Sequence, residues 1–168
     1  PETEPFGEVV PGIDADLTRG MPAAGEQMLT LMRTLWPICR SITGNGVRST
    51  LAVLKEGLPE LVVHEVPTGT RCFDWTIPEE WNIRDASVVG PDGRVVISFA
   101  DNNLHVVNYS EPVDREMDLD DLQQHLHSLP DQPNAIPYVT SYYRRTWGFC
   151  LTHQARQGLR PGRYRVRI

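Results

Sequence analysis

The residues of this sequence best suited to acid–base, nucleophilic or metal chemistry are its five histidines and three cysteines. Their spacing restricts what they can do. His125 and His127 sit in a segment with helical periodicity, where residues two apart point about 200° away from each other, so they share a metal poorly. Cys150 and His153 read as strand positions three apart, which places them on opposite faces. His64-Glu65 is followed by no histidine at H-E-x-x-H spacing, and no complete four-ligand zinc pattern occurs. Cys150 could serve as a nucleophile with His105 or His153 as its base, but nothing in the spacing favours either pair. There is no G-x-S-x-G elbow, P-loop or G-x-G-x-x-G turn. Gly44-Asn45-Gly46 follows a helix rather than a strand and is weak evidence for phosphate binding. The expectation is therefore no catalytic residue, no metal ligand set and no cofactor within this chain.

Two further patterns could bind rather than react. Pro137-Tyr138-Val139-Thr140-Ser141-Tyr142-Tyr143 and Trp147-Gly148-Phe149-Cys150 gather aromatics and hydroxyls. Such a cluster can plug a core, with its tyrosine hydroxyls bonded to backbone, or wall a pocket. Arg163, Arg165 and Arg167 alternate with Tyr164, Val166 and Ile168, the period of a half-buried strand. The arginines could contact phosphate, but they read better as the solvated face of an edge strand, where charge discourages aggregation. The formal net charge of −6 argues against a nucleic-acid or anionic-membrane binder. No apolar run is long enough to cross a bilayer. Three widely spaced cysteines do not form a disulfide framework, which points to free thiols in the cytoplasm.

The elements that must carry these residues follow from periodicity. Residues 1–22 show none and read as a flexible lead-in. Residues 23–39 place Met28, Leu31, Met32, Leu35, Trp36 and Cys39 on one helical face, with Pro37 ending the helix. A second helix spans 47–56 before Gly57, and the polar turn between them suggests a helical hairpin. Strands are expected at 61–66, 86–89, 95–99, 104–109, 149–152 and 163–168. Pro91-Asp92-Gly93 turns the 86–99 hairpin: proline presets φ, aspartate bonds its own backbone and glycine accepts positive φ. A short helix is expected at 119–128, with Asp118 as its cap, Asp120 and Asp121 in its first turn, and Pro130 as its stop. The fold class is α+β: a helical hairpin followed by a β-rich domain with one short helix. The strand at 163–168 ends on an apolar residue, which suggests that the parent protein continues beyond it.

Several blocks, in order, carry a family resemblance. They are Leu35-Trp36-Pro37-Ile38-Cys39-Arg40-Ser41-Ile42-Thr43-Gly44-Asn45-Gly46-Val47-Arg48, Glu65-Val66-Pro67-Thr68-Gly69-Thr70, Phe73-Asp74-Trp75 and Glu80-Trp81-Asn82-Ile83. Asn103-Leu104-His105-Val106-Val107-Asn108-Tyr109-Ser110, Leu129-Pro130-Asp131, Ile136-Pro137-Tyr138, Thr140-Ser141-Tyr142-Tyr143 and Trp147-Gly148-Phe149-Cys150 follow. Together they resemble the N-terminal portion of a bacterial zinc-aminopeptidase-like family formerly of unknown function, related to the di-zinc exopeptidases. The resemblance implies a truncated piece of an α/β peptidase, with 23–65 the helical hairpin and first strand of the core and 66–168 a β-rich inserted domain. It implies zinc in the full-length parent, held by Cys-His-Pro and Asn-Asp-Asn blocks that this sequence lacks. The implied partners are the remainder of the peptidase core and a peptide or small-molecule substrate, with no nucleic acid and no membrane. Inserted domains of this type shape an active-site mouth, so Arg40, Tyr142, Tyr143 and Trp147 are expected to contact substrate. The competing reading is a non-catalytic module that recognises a peptide, a sugar or a protein partner.

Overall fold

A computed structural model describes residues 21–168, with side chains from residue 23. The expected lead-in falls outside these residues up to residue 20. The chain divides into two compact units, Pro1–Ile38 and Cys39–Ile168.

In the first unit, helix α1 spans Met21–Leu35. The Trp36 amide still donates to the Met32 carbonyl, and Pro37, with no N–H of its own, follows where the helix stops. The expected apolar face does not become a core here: Met28, Met32 and Trp36 are 66%, 66% and 75% exposed.

The second unit opens with α2, Asn45–Gly57. Gly44, just before it, has φ +90°, and a Cβ there would lie 2.2 Å from the Trp81 carbonyl oxygen. Only glycine fits both the conformation and the space. The expected strand at 61–66 does not form. Its valines have the right propensity, but Val62, Val63 and Val66 are exposed, and no other described strand lies beside it. A strand needs a partner as well as a sequence. Within the crossing at 67–81, a small hairpin forms instead from β1, Arg71–Cys72, and β2, Trp75–Thr76.

The core rests on an antiparallel sheet of β3 (Ser87–Val89), β4 (Val95–Ser98), β5 (Asp114–Asp118) and β8 (Arg163–Arg167), in the order β4-β3-β8-β5. The β3–β4 hairpin is the expected one. Asp92 Oδ1 accepts from the Arg94 amide, and Gly93 adopts φ +78°. In β8 the alternation also holds, with Tyr164 and Val166 buried between exposed arginines. The arginine face meets the acidic face of β5: Arg165 pairs with Asp114 at 2.5 Å and Arg163 with Glu116 at 3.7 Å. The phosphate alternative for Arg163 and Arg165 is thus replaced by cross-strand ion pairs.

Beneath the sheet lie Val88, Ile97, Leu122, Leu126, Phe149, Leu151 and Val166. Each fully buried apolar side chain of this size stabilises the fold by about 1.5–3 kcal/mol. Two expected elements take other forms around this core. The strand at 104–109 is a 3-10 turn, Asn103–His105, followed by isolated bridges such as Val106 with Phe149. The helix expected to reach residue 128 is α3, Leu119–Gln123, and the Asp118 side chain makes no cap hydrogen bond. It stops because β6, Leu126–His127, is drawn into parallel pairing with β7, Phe149–Cys150. Gly148 permits that approach, since a Cβ there would meet the His125 carbonyl at 2.9 Å. After β7 the chain forms helix α4, His153–Gln157, capped by Thr152 Oγ1 accepting from the Ala155 amide.

Candidate functional site

The second unit holds an open groove of about 770 Å³. One wall is the 78–85 crossing and another is Ser141-Tyr142-Tyr143-Arg144-Arg145, with Tyr109–Pro112 and the end of β8 at its base. A second cavity, lined by 74–78, shares Pro78, Tyr142 and Tyr143 with the first, so these two tyrosines border both.

The aromatic wall is held by a dense set of contacts. Tyr109 adopts φ +66°, which is costly for a bulky residue. Its ring stacks on Trp81 at 5.8 Å and meets the Tyr142 ring edge-on at 5.2 Å. Its hydroxyl lies 2.5 Å from Thr43 Oγ1, which also accepts from the Trp81 amide. Trp81 Nε1 donates to the Ser110 carbonyl. Ser141 then ties the two loops together, its amide donating to the Asn108 carbonyl and its hydroxyl reaching the Asn108 and Tyr109 carbonyls.

A chain of hydrogen bonds leads to Tyr142. The buried Asn108 Nδ2 donates to the Tyr138 hydroxyl oxygen at 2.9 Å, and that hydroxyl lies 2.9 Å from the Tyr142 hydroxyl. Burial, together with the bond to Tyr142, pushes the Tyr138 phenol pKa up. Either hydroxyl of the Tyr138–Tyr142 pair can donate. Burial raises the Tyr142 phenol pKa, but the bond with the Tyr138 hydroxyl and the neighbouring Thr140 and Ser41 hydroxyls bring it down overall.

The opposite wall is fixed to α2. Arg48 binds Glu80 through two nitrogens at 2.9 and 2.5 Å. That pairing, joined by the Asn82 side-chain amide, lowers the Glu80 pKa to about 2. The Asn45 amide at the start of α2 donates to Asn82 Oδ1, so this N–H of the Gly44-Asn45-Gly46 turn is already bonded within the protein.

The four expected contact residues separate. Tyr142 and Tyr143 line the groove together. Trp147 instead stacks on His125 with ring centroids 3.6 Å apart, and Arg115 lies 5.2 Å over its ring. Arg40 is exposed and is not among the groove-lining residues. Arg84, Arg144 and Arg145 do line it, although no sequence pattern singled them out. The adjacency of two arginines to the tyrosine pair was the available signal.

Three of the five histidines, His105, His125 and His153, are hydrogen-bonded within the fold, and one of the three cysteines, Cys150, is buried. His105 Nδ1 donates to the Cys150 carbonyl at 2.6 Å, a contact with its backbone rather than its sulfur. His125 Nδ1 donates to the Trp147 carbonyl, and His153 Nδ1 meets Ser128 Oγ. Burial raises the Cys150 thiol to about 12, which leaves almost no thiolate at neutral pH. Among the described residues no group of three or more His, Cys, Asp and Glu side chains could hold a metal ion. These residues do not fit a zinc site.

Residues 80–168 match a family described as "Domain of unknown function (DUF2172)". The chain belongs to that family. Apart from Pro78 and Glu79, all the groove residues lie in the matched region. The chain is 49% identical over 144 residues to a Clostridium acetobutylicum protein named "Putative polysaccharide biosynthesis protein with aminopeptidase-like domain". That match covers 86% of this chain and 33% of the relative, so the chain spans about one third of the relative's length. It is also similar to a solved structure described as a "putative peptidase" from Clostridium acetobutylicum. The TM-score is 0.86 and the identity 46%, with 91% of this chain and 36% of the other covered. Resemblance to a peptidase-like family therefore holds in sequence and in fold. Among the described residues no helix is long and apolar enough to cross a membrane.

Proposed function

We propose that this chain is the N-terminal, cleft-shaping part of a cytoplasmic, metal-dependent aminopeptidase-like hydrolase related to the di-zinc exopeptidases. It contributes substrate contacts and no catalytic group. The observation that carries this reading is the groove walled by Tyr142 and Tyr143 in a chain that matches one third of an aminopeptidase-like relative. Zinc is placed in the remainder of the parent, because among the described residues no group of three or more His, Cys, Asp and Glu side chains could hold it. The remainder of the peptidase core is also the proposed partner. The exposed Met28, Met32 and Trp36 on α1, and Val62, Val63 and Val66 in the unpaired 61–66 segment, support such a cover.

Of the expected substrate contacts, Tyr142 and Tyr143 are the two we retain. Tyr142 presents a hydroxyl oriented by Asn108 and Tyr138, and Tyr143 an exposed ring. The test compares the longer protein, loaded with zinc, against its Tyr142→Phe and Tyr143→Ala variants in aminopeptidase assays on neutral peptides. We expect KM to rise about 3–10-fold in each variant, the loss of one ligand contact. Unchanged kinetics in both variants would remove the groove from the substrate path, and a longer protein that binds zinc yet cleaves no peptide would remove the hydrolase reading.

One observation favours a second reading. The groove is complete within one unit of this chain, as a non-catalytic module recognising a peptide, sugar or protein partner requires. That reading expects ligand binding with no hydrolysis by the longer protein.

A further inference from the structure

We infer that the groove selects acidic peptides, pairing their carboxylates with Arg84 and Arg144. The inference starts from which charges in the groove are already committed. Glu80 is held by Arg48, and Glu79 and Glu111 both lie against Arg145. Arg145 is shared by two acids, so these groups together leave one carboxylate charge over. Arg84, Arg144 and Arg167 line the same groove and are exposed, and their side chains make no ion pair or hydrogen bond among the described residues. Asp85 is the acid of the groove left equally uncommitted. Counted with Arg48, the groove has five guanidinium groups against four carboxylates, and the surplus falls on the arginines whose side chains have no partner.

Outside the groove lining, Arg48, Arg94, Arg163 and Arg165 each have a carboxylate within 4.0 Å, whereas Arg71 and Arg160 have none among the described residues. Guanidinium is a planar fork of donors that matches a carboxylate through two parallel bonds. Placed unpaired along a cleft, it offers that geometry to whatever enters. Tyr142 adds a neutral hydroxyl on the same wall, a group able to hydrogen-bond a peptide.

The ring arrangement favours a peptide over an acidic sugar. A pyranose needs an open aromatic face to lie on. Trp81 and Tyr109 spend a face on each other, and Tyr109 and Tyr142 meet edge-on. The wall therefore presents hydroxyls and guanidinium groups together with one exposed ring, Tyr143, which meets Tyr142 edge-on. The choice of a peptide rests on the hydrolase reading above, whereas the preference for acid rests on the arginines alone.

The test is calorimetric titration of this chain with triglutamyl amide, triglutaminyl amide and trigalacturonate at low salt. We expect triglutamyl amide to bind about tenfold or more tightly than its neutral counterpart, with the difference shrinking as salt screens the exposed charges. The Arg84→Ala/Arg144→Ala double variant should lose that difference. Arg94→Ala, away from the groove, should keep it, and circular dichroism of each variant controls for folding. Equal binding of the two peptides overturns the inference, as does an acidic preference that survives the double variant. Tighter binding of trigalacturonate overturns the assignment to peptides. Hydrolysis of neutral peptides by the longer protein, without acidic preference, removes this inference and leaves the hydrolase reading standing.

Discussion

Two aromatic residues of the second unit bend the backbone into the left-handed region, and their surroundings differ completely. Tyr109, at φ +66°, sits among Trp81, Tyr142 and Thr43, all of which hold its ring or hydroxyl. Phe73, at φ +54°, lies in the turn between β1 and β2 with its side chain 92% exposed. A bulky residue in this conformation costs on the order of 1–3 kcal/mol unless its neighbours offset it. At Tyr109 the offsetting contacts are visible, and they are the same contacts that build the groove wall. At Phe73 none exists among the described residues. The comparison separates strain that is used to position a site from strain that nothing in this chain compensates.

The largest way to break the comparison is Tyr109→Ala. It keeps the unfavourable backbone while removing the stack, the edge contact and the Thr43 bond. We expect a loss of about 2–4 kcal/mol in urea unfolding, at the level of large-to-small aromatic changes. A loss under about 0.5 kcal/mol, the range of ordinary surface changes, would mean that the Tyr109 contacts do not hold the wall. Ser110→Ala, next along the chain, should cost less. The buried Ser110 hydroxyl donates to the Val107 carbonyl at 2.6 Å and accepts from the Gly148 amide at 3.2 Å. Its removal leaves a buried amide unpaired and should lower stability by about 1–2 kcal/mol. Faster amide exchange at Gly148 in the variant is the specific sign of that cause.

How much of this could be read from residue order depends on how local the cause is. The β3–β4 turn was legible because Pro91, Asp92 and Gly93 set it by themselves. Strand β8 was legible because its alternation is strict. Strand β5, Asp-Arg-Glu-Met-Asp, has poor strand propensity and is held by the arginines of β8, far away in the chain. The 61–66 segment shows the reverse case, with strong propensity and no partner. In the groove, the tyrosine run was visible as a run. That Tyr142 and Tyr143 would face a cleft while Trp147 turned onto His125 was not, because the bridges Asn108–Thr140 and Ser110–Thr146 set the path between them.

A smaller effect tests the wall opposite the tyrosines. The Glu80 pKa is lowered to about 2 when folded, chiefly by the Arg48 hydrogen bonds and then by Asn82. A depressed carboxylate pKa contributes stability that is present above the unfolded value, near 4.5, and lost as pH falls towards about 2. Both partners are well exposed, so solvent screening keeps the contribution small. Wild type should therefore lose slightly more stability than Glu80→Gln between pH 5 and pH 2, and the two should converge at the acid end. Parallel stability–pH curves for the two proteins would mean that the Arg48 pairing does not hold in solution.

The smallest expected change has the opposite sign, which makes it the sharpest test of the comparison. Phe73→Gly removes a side chain that touches little and restores a residue for which positive φ carries no steric cost. Relief of that strain is partly cancelled by the greater freedom glycine has in the unfolded chain. The net result in this chain should be a gain of roughly 0.5 kcal/mol, read as a small rise in urea midpoint at unchanged slope. In the longer parent, the proposed peptidase core would cover exposed apolar residues of this chain. If that cover reaches the β1–β2 turn, the same substitution there removes a buried aromatic and turns the gain into a loss. A gain in both proteins would mean that the strain at Phe73 is uncompensated in the parent as well. A loss in this chain alone would mean that the phenyl ring already has a packing role here, and the contrast with Tyr109 would disappear.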